Sequence, residues 1–221
     1  MIPFLFAALT AAQAPSCAVP PNLHAPHVEL PPADQPVRAM PIASYTLALI
    51  WTPQHCFHKV GGAESFECGR DTGTRFVLHG LWPDGEGKSW PQWCAAAAAL
   101  PRKTIAAHYC ATPSAQLMQH EWAKHGTCIP GATSDRYFDQ SNRLFRRLRF
   151  PDMRRLSAAP TSESKFAQAF AAANPGMEPD SIRLNLDKKG WLQEVWLCLD
   201  TSFQSMHCAA PAKPSRVVHI R

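Results

Sequence analysis

Residues 181–200 read SIRLNLDKKGWLQEVWLCLD. Two runs rich in branched and aromatic side chains flank Lys188-Lys189-Gly190, and a glycine-containing break between such runs predicts a β-hairpin. Working outward, SYTLALIW (44–51) reads as a buried strand, and TRFVLHG (74–80) as a second one that ends abruptly in a histidine. AAAAAL (95–100) begins helical material. SDRYFDQSNRLFRRLRF (134–150) predicts a helix capped by Ser134 or Asp135, with Tyr137, Ser141, Leu144 and Leu148 along one stripe. TSESKFAQAFAAA (161–173) predicts another, stopped by Asn174-Pro175-Gly176. Strands and helices do not alternate regularly. The pattern therefore predicts an α+β fold, a central antiparallel β-sheet packed with several α-helices, over a doubly wound sheet.

The chain has 221 residues, which favours one domain. With 46% hydrophobic and 18% charged residues it can build a core, and collagen-like, coiled-coil and low-complexity classes are excluded. No apolar run reaches the roughly 18 to 20 residues needed to span a bilayer. A net charge of +5 mildly favours anionic partners and decides nothing alone. The uncharged MIPFLFAALTAAQA (1–14) ends in small-x-small and resembles an export signal. Residues 15–41 hold eight prolines and predict an extended lead segment, leaving 42–221 as a single domain. The eight cysteines agree with export, secreted or periplasmic, because an even number in an exported chain reads as disulfides. They allow 105 pairings, of which Cys56–Cys68 and Cys198–Cys208 are local closures. No CxxC spacing suggests zinc.

Two neighbourhoods carry chemistry: FVLHGLWPD (76–84) and HEWAKHGTC (120–128). On a helix, His120, Glu121, Lys124 and His125 lie at about 0°, 100°, 40° and 140°, so four titratable groups share one face. Trp122, at about 200°, turns to the core, and Gly126 suits the helix end. A solvated charged face is the ordinary alternative, but two imidazoles, a carboxylate and an ammonium together favour a functional one. Zinc peptidases place their paired histidines four apart, whereas these are five apart and have Lys124 between them. No metal or other cofactor is expected. In the first neighbourhood His79 closes a strand, Gly80 allows a turn, and Trp82 with Asp84 forms an aromatic edge bearing a carboxylate. Taken singly, His79 and Trp82 would be core residues.

Taken together, in this order and about 40 residues apart, the two segments resemble the active-site signatures of the ribonuclease T2 family, exported acid endoribonucleases. Weaker similarity covers residues 44 to 208, and the Pro-rich lead is not covered. The resemblance implies metal-independent cleavage of single-stranded RNA, in which the ribose 2′-hydroxyl attacks the adjacent phosphorus. The product is a 2′,3′-cyclic phosphate, then a 3′-phosphate; DNA, lacking the hydroxyl, should resist. It implies His125 as general base and His79 as general acid, with Lys124 and Glu121 at the phosphoryl oxygens and His120 holding the phosphate. Paired histidines of opposite role predict a bell-shaped pH profile, centred on the acid side.

Trp82 and Asp84 match the family positions that contact the base before the cut, and Trp90, counted onward from the motif, offers a second stacking face or mere loop packing. The resemblance also implies a Cys94–Cys128 bridge tying the two segments. Cys56–Cys68 and Cys198–Cys208 follow from proximity and resemblance, which leaves Cys17 and Cys110. Seven arginines between Arg136 and Arg155 could extend the phosphate-binding surface, though a solvated helix face is the simpler reading. The expected partner is single-stranded RNA alone, without a membrane, for a monomer. The competing readings are a catalytically idle RNA-binding or toxin-like module on the same scaffold, and a zinc hydrolase.

Overall fold

The computed structural model describes residues 17–57, 68, 75–210, 212–213 and 215–221. The export-signal reading of 1–14 falls outside them. Strand β1 (Ser44–Trp51) runs directly into helix α1 (Thr52–Phe57), and β2 (Phe76–Asp84) follows. Helices α2 (Arg102–His108), α3 (Ala115–Lys124), α4 (Ser134–Arg147) and α5 (Met153–Ser157) come next. A short β3 (Thr161–Ser162) precedes α6 (Glu163–Ala173), then β4 (Ile182–Leu186), β5 (Leu192–Leu199) and β6 (Val217–Val218). The main sheet has the order β2-β1-β5-β4 with every neighbouring pair antiparallel. Helices and sheet are segregated, as an α+β fold requires.

The hairpin forms as its sequence demands. β4 and β5 pair antiparallel across Asp187–Trp191, and Gly190 takes a φ of 83°, which a side chain would oppose. β1 is central and buried along nearly its whole length, which explains its unbroken apolar run. Leu47, Leu49, Leu78, Leu81, Met118, Phe166 and Phe170 join one core under the sheet. α4 begins one residue earlier than expected, with Thr133 accepting from the Arg136 N–H, and it ends before Pro151. Tyr137 and Ser141 of its stripe are buried, and Leu144 and Leu148 pack half-buried against the same core.

One expectation fails: residues 95–100 form no helix. Their alanines have high helical propensity, but Cys94 is bridged to Cys128, and α2 starts only after Pro101. The Leu100 N–H is instead satisfied by the buried Gln119 side chain, at 2.8 Å.

Four disulfides form among the described residues: Cys17–Cys110, Cys56–Cys68, Cys94–Cys128 and Cys198–Cys208. The Pro-rich residues 17–41 have no helix or strand but are tied to the body of the domain at several points. No helix among the described residues is long and apolar enough to cross a membrane.

Candidate active site

The site is built where β2 meets the C-terminal half of α3. Opposite Ala48 and Leu49 of β1, the pairing on β2 passes from Gly80 to Leu78, so His79 is an extra, bulged residue. A bulge bends its strand and re-aims a side chain, and here it turns an imidazole out of an otherwise apolar edge strand. The backbone on either side is pinned. Leu78 donates to Ala111 and accepts from Thr112, and Leu81 exchanges hydrogen bonds with the buried Tyr137 hydroxyl. These contacts also use up the free edge that β2 would otherwise present.

Helix α3 is capped by Ser114, whose hydroxyl accepts from the Leu117 N–H, and it ends at His125 before the Gly126–Cys128 turn. It delivers Glu121 against Gly80 so closely that a Cβ on Gly80 would lie 1.9 Å from a Glu121 carboxylate oxygen. Gly80 is therefore needed for close approach, and the strand end and turn expected at His79-Gly80 do not form: β2 continues through both residues to Asp84.

Glu121 is 1% exposed, and both of its oxygens are engaged. One lies 3.3 Å from His79 Nε2, and the other accepts the Trp82 indole N–H at 2.7 Å. Burial alone would raise its pKa, but His79 foremost, then His125 and His120, bring it down to about 2. It is therefore a buried carboxylate with one oxygen on the His79 imidazole and the other on the Trp82 indole.

His79 is gripped from its other side by Glu194 of β5, whose Oε1 lies 2.6 Å from Nδ1. The second Glu194 oxygen accepts from Asn185 and Trp196. Burial pushes the His79 imidazole down, yet Glu121 and Glu194 together raise it to about 10. His125 has the opposite fate. It is 7% exposed, and burial, reinforced by Lys124, His120 and His79, outweighs Glu121 and lowers it to about 4. Its Nδ1 is buried without a hydrogen-bond partner among the described residues.

The Trp82 ring joins the two imidazoles, edge-on to His79 at 5.0 Å and stacked on His125 at 5.5 Å. Trp196 meets it edge-on at 5.4 Å. Asp84, at the end of β2, accepts the Thr46 hydroxyl at 2.6 Å; burial raises its pKa against Thr46 and Arg183. His120 pairs through Nδ1 with Glu29 at 2.6 Å and meets the buried Trp93 edge-on. The Lys124 ammonium forms no ion pair among the described residues, while its carbonyl accepts from the Trp93 N–H at 2.8 Å. The Cys94–Cys128 bridge joins the loop after β2 to the turn after α3.

Thus His79, Trp82, Glu121 and His125 come together, with His120 close enough for its charge to act on Glu121 and His125. Trp90 makes none of these contacts among the described residues; it is 42% exposed, donates to Gln92 and carries the Arg38 guanidinium over one face of its ring at 5.5 Å.

A cavity of about 350 Å³ opens beside His79, lined by Glu194, Leu117, Gln54, His55 and Gln193 among others. A larger hollow of about 450 Å³ lies between α2 and α4, beside Arg143, Arg146 and Arg147, and contains none of the paired imidazoles. Of the two, only the smaller is lined by an imidazole of the pair, His79. Glu194, Glu29 and Gly80 are the residues the sequence reading missed in these roles. An isolated carboxylate inside the apolar β5 run was the available signal for Glu194. Nothing local marked Glu29.

Two imidazoles of opposed basicity thus meet one indole and share the influence of one buried carboxylate, where an antiparallel sheet meets a helix. The chain belongs to the ribonuclease T2 family, whose model matches residues 42–208. It is 31% identical over 166 residues to a ribonuclease of Aeromonas hydrophila, covering 71% of each chain. It is 27% identical over 180 residues to a probable ribonuclease of Haemophilus influenzae, covering 76% of this chain and 61% of that protein's length. The fold is similar to trichomaglin, an S-like ribonuclease, with a TM-score of 0.66 at 21% identity, covering 81% of this chain and 97% of that one. It is also similar to a ribonuclease MC1 variant in complex with 5′-UMP, with a TM-score of 0.63 at 19% identity, covering 81% and 99%.

Proposed function

We propose that the protein is an exported endoribonuclease that cleaves single-stranded RNA by intramolecular transphosphorylation. The observation that carries this reading is the placing of His79 and His125 against one Trp82 ring, His79 between the Glu121 and Glu194 carboxylates and His125 buried, which raises the first to about 10 and lowers the second to about 4. Such a reaction needs one neutral base and one cationic acid at the same moment, and a carboxylate pair on one ring with burial of the other supplies both.

In this reading His125 removes the 2′-hydroxyl proton as the oxygen attacks phosphorus. His79 gives its proton to the departing 5′-oxygen as that P–O bond breaks, leaving a 2′,3′-cyclic phosphate. Of the two His79 nitrogens, Nδ1 is tightly held by Glu194, so the proton delivered is the one on Nε2, 3.3 Å from Glu121. Lys124 supplies positive charge to the phosphoryl oxygens as charge accumulates there, and His120 helps to hold the phosphate. Glu121 keeps His79 charged and oriented, and does not touch the phosphate. Tethering makes the nucleophile effectively unimolecular, so the chain's own side chains suffice for the proton transfers. Trp82 and Asp84 border the place of the upstream base. DNA lacks the attacking hydroxyl and resists. Four disulfides accord with an oxidising compartment, secreted or periplasmic.

Product-end analysis tests the proposal. Purified protein incubated with a defined RNA oligonucleotide in EDTA should leave 2′,3′-cyclic phosphate ends, and the matching DNA should stay intact. Binding without cleavage would instead make it an idle RNA-binding module, and 5′-phosphate ends or a zinc requirement would overturn the mechanism.

A further inference from the structure

Residues 17–41 lie before the matched family region, which begins at residue 42, yet they run across the catalytic helix. Cys17 is bonded to Cys110, between α2 and α3. The Arg102 guanidinium donates to the Pro21 carbonyl. Further on, the His27 N–H donates to Gln116 Oε1 at 2.8 Å, and the His27 carbonyl accepts from Gln116 Nε2 at 3.2 Å. At the far end Arg38 and Gln92 exchange two backbone hydrogen bonds, each of 2.9 Å. The lead is therefore a strap fastened on both sides of Glu29.

Glu29 uses both carboxylate oxygens on α3. One accepts from Gln116 Nε2, and the other lies 2.6 Å from His120 Nδ1. Gln116 and His120 are four residues apart and so lie on one helix face, one above the other. On a different side the buried Trp93 indole meets the His120 ring edge-on at 5.5 Å. The imidazole is held between a carboxylate from the strap and an indole from the loop after β2.

We propose that Glu29 is a positioning residue for His120, contributed by a segment outside the family domain. By accepting the Nδ1–H it fixes the ring rotation and turns Nε2 to the substrate, where it must carry a proton to donate to a phosphate oxygen. This rests on the reading of His120 as a phosphate-holding residue. The opposite idea, that the carboxylate is a plug displaced by substrate, requires Glu29 to leave. Its second oxygen is bonded to Gln116, and its backbone is anchored two residues away and again at the disulfide, so it is built as a fixed support.

The test is a double-mutant cycle on a dinucleotide substrate in the full chain, with thermal melts as a control. His120→Ala should raise KM. Glu29→Ala should raise KM about tenfold with kcat little changed, and Glu29→Gln, which keeps an acceptor oxygen, should recover most of that loss. In the His120→Ala background, Glu29→Ala should add nothing further. A Glu29→Ala protein with lower KM would show a competing plug and overturn the proposal. The same tenfold rise without His120 would also overturn it, as a merely structural effect. If His120→Ala leaves KM unchanged, the phosphate role of His120 is what fails; if KM rises for His120→Ala alone, only the role of Glu29 fails.

Discussion

Replacing Glu194 by Gln should move one limb of the pH–rate profile and leave the other in place. His79 must be protonated to act as the acid, so activity is lost as pH rises through its pKa, near 10 in the native site. Glu194 Oε1 is 2.6 Å from Nδ1, and an opposite charge at that range supports a cation by roughly 1 to 3 pH units, or about 1.4 to 4 kcal/mol. Glu121 remains in the variant and still holds Nε2, so the ring does not return to the behaviour of free imidazole. The alkaline limb should therefore fall to roughly pH 7–9. The acid limb reports His125, which must be neutral and is held near 4 by burial, and it should not move. The measurement is kcat/KM on a defined RNA oligonucleotide across pH 4 to 10, because that ratio reports the free enzyme. An unmoved alkaline limb, or a shifted acid limb, would refute the assignment of His79 as the acid. The native values bracket neutrality, so the wild-type plateau should extend further to alkaline pH than an acid-centred profile.

Other consequences are equally direct. His79→Ala and His125→Ala should each reduce cleavage by about two to four orders of magnitude with an unchanged circular dichroism spectrum, as expected for loss of a proton-transfer group. Gly80→Ala forces a methyl group to within 1.9 Å of Glu121 and should cost about 1–3 kcal/mol in a chemical melt together with most activity; near-normal turnover would mean that Glu121 can move freely. Removing the Cys94–Cys128 bridge, a separation of 34 residues, should cost about 3–4 kcal/mol by loop entropy, read as a lower denaturation midpoint. Stability should peak near pH 6.5. The raised His79 contributes stability that is full below pH 6.5 and is lost toward 10, whereas the depressed His125 destabilises the fold as pH falls from 6.5 toward 4. The depressed Glu121 adds stability above pH 4.5 that is lost as pH falls toward 2. Denaturant midpoints that climb steadily from pH 6.5 to 10 would contradict this.

The α+β class, the hairpin at 181–200 and the helices around 134–147 and 163–173 were legible because each rests on local periodicity and local stop signals. The two motifs were legible for a similar reason: their titratable groups are clustered within a few residues. Where local preference and tertiary constraint disagreed, tertiary constraint won, as at residues 95–100, where alanines lie in an irregular segment behind a disulfide. For Trp90, left open between a stacking face and loop packing, no local rule puts Arg38, 52 residues earlier, over one face of its ring.

Residue order alone revealed the two clusters of titratable side chains and the kinds of element that carry them. The resemblance already implied which imidazole is the acid and which the base; the physical cause of their opposed basicity exists only in three dimensions. That difference comes from Glu194, 115 residues from His79, and from unequal burial, and neither is encoded in spacing along the chain. A pKa responds to every charge and every patch of low dielectric within a few ångströms, and those neighbours exist only after β5, α3 and the bulged β2 have packed together.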